Sequence, residues 1–143
     1  MQQNYSNHRR FMPVYHYLLA LTTVAVPIGA FVNLFKTMAS DAGLYSASLI
    51  AVVAINLTII YILMRTFALK AQDRAIRAEE NLRSFVLTGK LLDSRLTMRQ
   101  IVGLRFASDA ELQELAQRAV EEKLSEDDIK KAIKNWRADN CRV

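Results

Sequence analysis

Residues 44–88 read LYSASLIAVVAINLTIIYILMRTFALKAQDRAIRAEENLRSFVLT, without one proline or glycine. Up to Met64 the stretch carries no Asp, Glu, Lys or Arg; from Arg65 onward charges and alanines interleave. Roughly 20 apolar residues, rising about 1.5 Å each, cross a hydrocarbon core about 30 Å thick. The segment therefore predicts one helix that begins in lipid and runs on into water, as far as the stop signal at Gly89.

A second uncharged run lies upstream, FMPVYHYLLALTTVAVPIGAFVNLF at 11–35. Two buried helices of this length would need a large soluble domain around them, and the remaining residues do not supply one. The expectation is a transmembrane hairpin over 13–64, with spans near 13–35 and 43–64. Arg9 and Arg10 resemble the basic start of a signal peptide. The apolar run exceeds the usual roughly 7–15 residues, however, and Gly29-Ala30 is a poor cleavage site, so the run reads as a retained anchor. The link from Lys36 to Gly43 is short, which puts both termini on one side. Lys36 is its only basic residue, against Arg9 and Arg10 on one flank and Arg65, Lys70, Arg74 and Arg77 on the other. That bias predicts a cytoplasmic segment 1–12 and a cytoplasmic C-terminal part.

The totals, 143 residues with 52% hydrophobic and 23% charged, hide this division. Of the 19 Lys and Arg three precede Arg65, and of the 14 Asp and Glu one does, which leaves 16 basic and 13 acidic residues in 65–143. This distribution excludes a single soluble domain and a disordered chain. Cys141, the lone cysteine, excludes an internal disulfide framework.

Inside the spans, Pro13 suits a first helical turn and Pro27 predicts a kink. Tyr15 and Tyr17 fall where an interfacial aromatic belt is expected. Gly29 and Ala30 allow close helix approach. Asn56, near the middle of the second span, needs a hydrogen-bond partner on another helix, within or between chains. The alternative use of Asn56, with Thr22, Thr23, Asn33, Ser46, Ser48 and Thr58, is a polar path for transport. No Asp, Glu, Lys or Arg lies in either span to couple such transport. His8 and His16 read as surface and interfacial histidines, since no further metal ligands accompany them.

Beyond the membrane, over 65–89, Ala68, Ala71, Ala75, Ala78, Leu82 and Phe85 recur at spacings of three and four. That is a heptad seam, as in a coiled coil, and it predicts a closely packed partner helix: the same helix of another chain, or the C-terminal helices folding back. Asp73 with Arg77 and Glu79 with Arg83 form carboxylate-first pairs at i,i+4.

Residues 90–143 predict a small module of three helices near 98–106, 109–123 and 126–138, each opened by a cap signal: Thr97 with Gln100, Ser108 with Glu111, Ser125 with Asp128. Its predicted core is Ile101, Leu104, Leu112, Leu115, Ala119, Leu124, Ile129, Ile133 and Trp136. Lys130, Lys131, Lys134 and Arg137 suggest a basic face for lipid headgroups or a polyanion, as do Arg9 and Arg10. Glu126, Asp127 and Asp128 at the start of the same helix argue against groove binding to DNA. Arg105 and Asp109 suggest a buried structural clamp. No catalytic constellation, metal-ligand set or cofactor loop is present in the sequence.

Four segments carry a resemblance: Asn4-Tyr5-x-Asn7-His8-x-Arg10, Ala71-Gln72-Asp73-Arg74-Ala75-Ile76-Arg77 with Glu79-Glu80-Asn81-Leu82-Arg83, Leu104-Arg105-Phe106-Ala107-Ser108-Asp109, and Ile129-Lys130-Lys131-x-Ile133-x-x-Trp136-x-x-Asp139. Together they resemble a small bacterial membrane-protein family catalogued as a domain of unknown function. The resemblance implies a two-span inner-membrane protein and assigns no site residues.

The reading is thus an all-α membrane protein, a two-helix hairpin with an extended second helix and a three-helix C-terminal module. The expected role is non-enzymatic, without cofactor or metal. The chain is expected to self-associate and to present its module to a cytosolic protein. The alternatives are a transport or channel component and, second, a membrane-tethered nucleic-acid binder.

Overall fold

The computed structural model describes residues 3–8, 12–40 and 42–139. All regular structure among them is helical. A π-helical stretch, Val14–Leu19, leads into α1, Ala20–Met38; α2 is Leu44–Thr88, α3 Met98–Leu104, α4 Asp109–Glu121 and α5 Glu126–Ala132. The chain divides into two units, Phe11–Leu69 and Met1–Arg10 with Lys70–Val143. One helix, α2, supplies residues to both.

The first unit is the apolar hairpin. Pro13 starts the first helix, where an N–H has no intrahelical partner to lose. The two helices meet through small side chains: Ala30 is buried with Ala51 and Ala54, and Leu34 packs beside them. A Cβ on Gly29 would meet nothing within 4 Å, so Ala30 rather than Gly29 carries the close approach. The hydroxyls of Thr22, Ser46, Ser48 and Thr58 all donate to backbone carbonyls three or four residues earlier. Their hydroxyl protons are therefore spent on the backbone. Val24, Phe35, Ile50, Val52 and Ile62 are exposed. Only 6% and 17% of the most apolar windows of the two helices are buried, which is not the pattern of soluble core helices. Both are long and apolar enough to span a membrane.

The second unit has a core of Leu96, Ile101, Leu104, Phe106, Ala107, Leu112, Leu115, Ala119, Ile129 and Ile133, with Ile76 of α2 and half-buried Leu124 and Trp136 against it. Its helices start largely where side chains cap them. Thr97 and Gln100 form a full capping box at α3. Ser125 accepts from the Asp128 N–H at α5. Ser108 makes no such bond at α4; the Glu111 N–H donates to the Ser108 carbonyl instead, at 3.1 Å. The helix sides fit closely: a Cβ at Gly103 would lie 3.1 Å from the Glu126 carbonyl and 3.2 Å from Ile129 Cγ2.

The helix expected over 126–138 ends at Ala132. The cause is Glu111, whose carboxylate accepts the N–H groups of Lys134 and Asn135, both at 3.0 Å, and the Asn135 carboxamide at 2.6 Å. Those backbone donors leave the helix ladder, and the chain turns back as a strap. Arg137 N–H donates to the Phe106 carbonyl at 2.8 Å, and Ser108 N–H to that of Asn135 at 3.1 Å. This single antiparallel bridge, Ala107 with Trp136, is the only β-type pairing among the described residues. The helix expected over 98–106 likewise stops at Leu104, freeing Arg105 and Phe106 to meet the strap.

Candidate functional site

The polar face of α2 holds the module. Ile76, Glu80 and Ser84 are buried on it, four residues apart. Arg83 is the centre: its guanidinium donates to Glu80 Oε2 at 3.0 Å, to Asp109 Oδ1 through Nε at 2.7 Å and to the Ala107 carbonyl at 2.7 Å. Ser84 Oγ donates to the Lys90 carbonyl and accepts from Gln113 Nε2 at 2.9 Å. Arg77 donates to the Leu96 carbonyl at 3.2 Å. The i,i+4 pairs expected for Asp73 with Arg77 and Glu79 with Arg83 give way to these bonds; for Arg83, 10% exposed, several fixed acceptors are worth more than one exposed carboxylate.

With the module on that face, the seam is left open. Ala68, Ala71, Ala75, Ala78, Leu82 and Phe85 are all exposed, and from Ala71 on they lie on the side of α2 away from Ile76, Glu80 and Ser84. The C-terminal helices do not fold back onto the seam. Asn56 is also exposed and makes no hydrogen bond among the described residues.

A second cluster surrounds the buried Phe106 ring. Trp136 lies 5.1 Å away between centroids and the His8 ring 5.7 Å away, edge-on. The Arg105 guanidinium sits over the Phe106 face at 4.6 Å, and Lys130 Nζ is 5.6 Å from its centroid. The N-terminal segment docks here: Tyr5 donates its hydroxyl to Asp127 at 2.9 Å, and Gln3 accepts the Asp139 N–H at 2.7 Å. His8 is therefore a buried packing residue, not the surface histidine that its polar neighbours suggest.

A family model spans residues 1–143. The chain belongs to DUF6526, a family of unknown function. Nothing matches it among curated proteins or among solved structures.

The remaining sequence-predicted positions of this DUF6526 chain are distributed as follows. Arg105 and Asp109 do not clamp each other. Arg105 is buried against Asp139, Nη1 to Oδ2 at 3.1 Å, while Asp109 is held by Arg83. Both are salt bridges with structural partners, but the partners are distant in sequence. Lys130 is buried and paired with Glu126 at 2.6 Å; Lys131 is paired with Asp127 at 3.0 Å. The Lys131 hydrogen bond, with a second from Tyr5, holds the Asp127 carboxyl below its ordinary range. Arg137 approaches the buried Glu80 at 3.6 Å, and Lys134 lies beyond the end of α5. The four cations thus form no common basic face. Arg9, Arg10 and Cys141 lie outside the described residues. A groove of about 440 Å³ beside this network is lined by Gln72, Glu79, Arg137 and Asp139 among others, with both signs of charge. Among the described residues no group of His, Cys, Asp and Glu is placed to hold a metal ion.

Proposed function

We propose that this DUF6526 member is a non-enzymatic integral membrane protein of the bacterial inner membrane. It self-associates through α2 and presents its C-terminal module to a cytosolic protein. The observation that carries this reading is the exposed Ala68–Phe85 seam. A heptad row of alanines ending in Leu82 and Phe85 has no role in a solvated helix face, yet its own module occupies a different side of α2. Alanine permits close helix approach, and covering Leu82 and Phe85 contributes about 1.5–3 kcal/mol each. Asn56, whose carboxamide meets no partner among the described residues, adds a polar contact that a second copy would satisfy.

The inferred topology has both termini in the cytoplasm. It is supported by the packing of Gln3, Tyr5 and His8 against residues that follow α2. A hairpin with both ends on one side permits that contact, and a chain whose ends lie on opposite sides does not.

Cysteine crosslinking in membranes tests the reading, in a Cys141→Ser background. Disulfide dimers are expected from Ala71→Cys, Ala75→Cys and Ala78→Cys, and not from Arg77→Cys on the other side of α2. Equal crosslinking at all four positions, or none at any, refutes self-association through the seam. Reporter fusions at the two ends, expected to be cytoplasmic, test the topology.

A further inference from the structure

The hairpin unit contains a groove of about 280 Å³ between its two helices. Leu19, Val26 and Pro27 line one side, and Leu57, Ile60 and Met64 the other. The hydroxyls of Thr22 and Thr58 bordering it are spent on backbone carbonyls, which leaves Thr23 as the one further threonine hydroxyl among largely apolar walls. At one end Tyr15 and Tyr61 stack, with centroids 4.9 Å apart and planes at 19°. Each hydroxyl donates to the other residue's carbonyl, at 3.3 and 3.4 Å. The Arg65 guanidinium lies over the Tyr15 ring at 5.5 Å.

We infer that this groove holds one acyl chain of an anionic phospholipid whose phosphate is bound by Arg65. The inference rests on the membrane reading above and adds a ligand to it.

Length, girth and charge each favour that occupant. From Ala54 to Met64 the groove follows about 15 Å of α2, half of a hydrocarbon core roughly 30 Å thick, which is one leaflet. A helix of the same length, about 10 Å across, fills about 1,200 Å³, far beyond this groove, whereas an extended chain is much thinner. Arg65 is the first charge after the uncharged run and so stands at the leaflet boundary. The only acidic residue in Phe11–Leu69 is Asp41, in the link between the helices, so the unit offers Arg65 no neighbouring carboxylate. Lying over the Tyr15 ring is a cation–π placement that uses none of the guanidinium N–H donors, so they remain for phosphate oxygens. Arg65 makes no hydrogen bond or ion pair among the described residues.

The test is native mass spectrometry of the full chain in mild detergent with equal phosphatidylglycerol and phosphatidylcholine of the same acyl length. Phosphatidylglycerol is expected to be retained about tenfold over phosphatidylcholine, the scale of one charge-assisted hydrogen bond. Arg65→Gln should abolish the preference and Arg65→Lys should keep part of it. Leu57→Trp, which fills the groove, should remove retention of both lipids; Ile60→Trp serves if Leu57→Trp fails to insert. Equal retention of the two lipids by the wild type, or an unchanged preference in Arg65→Gln, overturns the site. Disulfide dimers of Leu57→Cys in membranes would put a second copy in the groove and also overturn it. Release of the chain by alkaline carbonate refutes the membrane reading itself. Retention through that wash without phosphatidylglycerol preference refutes the lipid site alone.

Discussion

Replacing Arg83 by Met keeps the aliphatic stem and removes the guanidinium that ties α2 to the module. The Arg83 side chain is 10% exposed and that of Glu80 6%. After the change, Glu80 keeps, among the described residues, Arg137 alone, 3.6 Å away and half-exposed, while the Ala107 carbonyl loses the Arg83 bond. Removing one partner of a buried pair costs about 3–5 kcal/mol, because the other charge stays buried. The residual Arg137 contact places this case at the lower end, near 3 kcal/mol by the same rule. Asp109, 65% exposed, adds less than about 1 kcal/mol. For a unit of this size, about 3 kcal/mol lowers the melting temperature by about 15 °C. Trp136, the one tryptophan, packs on Phe106 and reports module unfolding by fluorescence in the full chain in detergent. Adding Glu80→Gln to Arg83→Met should recover about half of the loss, since the buried charge is gone. The comparison is Arg95→Met, in a pair with Arg95 72% exposed, where little change in the transition is expected. If Arg83→Met shifts the transition no more than Arg95→Met, the argument that a buried polar network fastens the module to α2 is wrong.

Three further predictions use the same fluorescence readout. Gly103→Ala should destabilise the module by about 1–3 kcal/mol despite better helix propensity, because the new Cβ meets a backbone carbonyl at 3.1 Å that cannot move aside. Burial opposes ionisation of Glu111, but the N–H groups of Lys134 and Asn135 outweigh it and hold the carboxyl below its ordinary value. A carboxyl lowered in the folded state contributes stability that is complete above its unfolded value and is lost as pH falls through the folded one. Melting temperature should therefore decline on acidification below the ordinary carboxylate range, and Glu111→Gln should be less stable at neutral pH with a shallower decline. His8→Ala should shift Trp136 emission to the red and expose residues 3–8 to protease, as the ring 5.8 Å from Trp136 is lost; an unchanged spectrum would show that the N-terminal segment is not docked in solution.

What could be read from the sequence was whatever depends on near neighbours. The two uncharged runs, the unbroken helix from Leu44 to Thr88 and the Thr97 and Ser125 caps all follow from spacings within a few residues. So does most of the module core, from Ile101 to Ile133. The choice of partner by a long cation is not of this kind. Arg83 reaches Asp109, Arg105 reaches Asp139 and Glu111 captures the Lys134–Asn135 turn, each across more than twenty residues. That last capture ends α5 early and dissolves the basic face that helical spacing builds from Lys130 to Arg137. His8 reads as a surface histidine from the sequence because its burial is created by Phe106 and Trp136, which no local pattern links to the N-terminus. One signal was available: Phe106 sits between Arg105 and Ala107 in a loop, where an aromatic residue without helical periodicity needs a pocket of its own.

The way α2 is used bears on why its seam is alanine. A helix face that packs its own domain through bulk burial carries Leu, Ile or Phe, and α2 has only Ile76 in that role toward the module. The rest of the attachment is directional: Arg77, Glu80, Arg83 and Ser84 meet carbonyls, carboxylates and an amide at fixed distances. Directional bonds fix one rotation of the module about α2, whereas apolar contacts tolerate several. The strap and the docked N-terminal segment reinforce the same setting through Phe106, Asp127 and Asp139. A module held in one rotation keeps the row clear from Ala71 to Phe85. Had the attachment been apolar, the alanines would have been the cheapest surface for the module to cover. The polar network is thus what makes a seam on the opposite side of α2 available to a second chain.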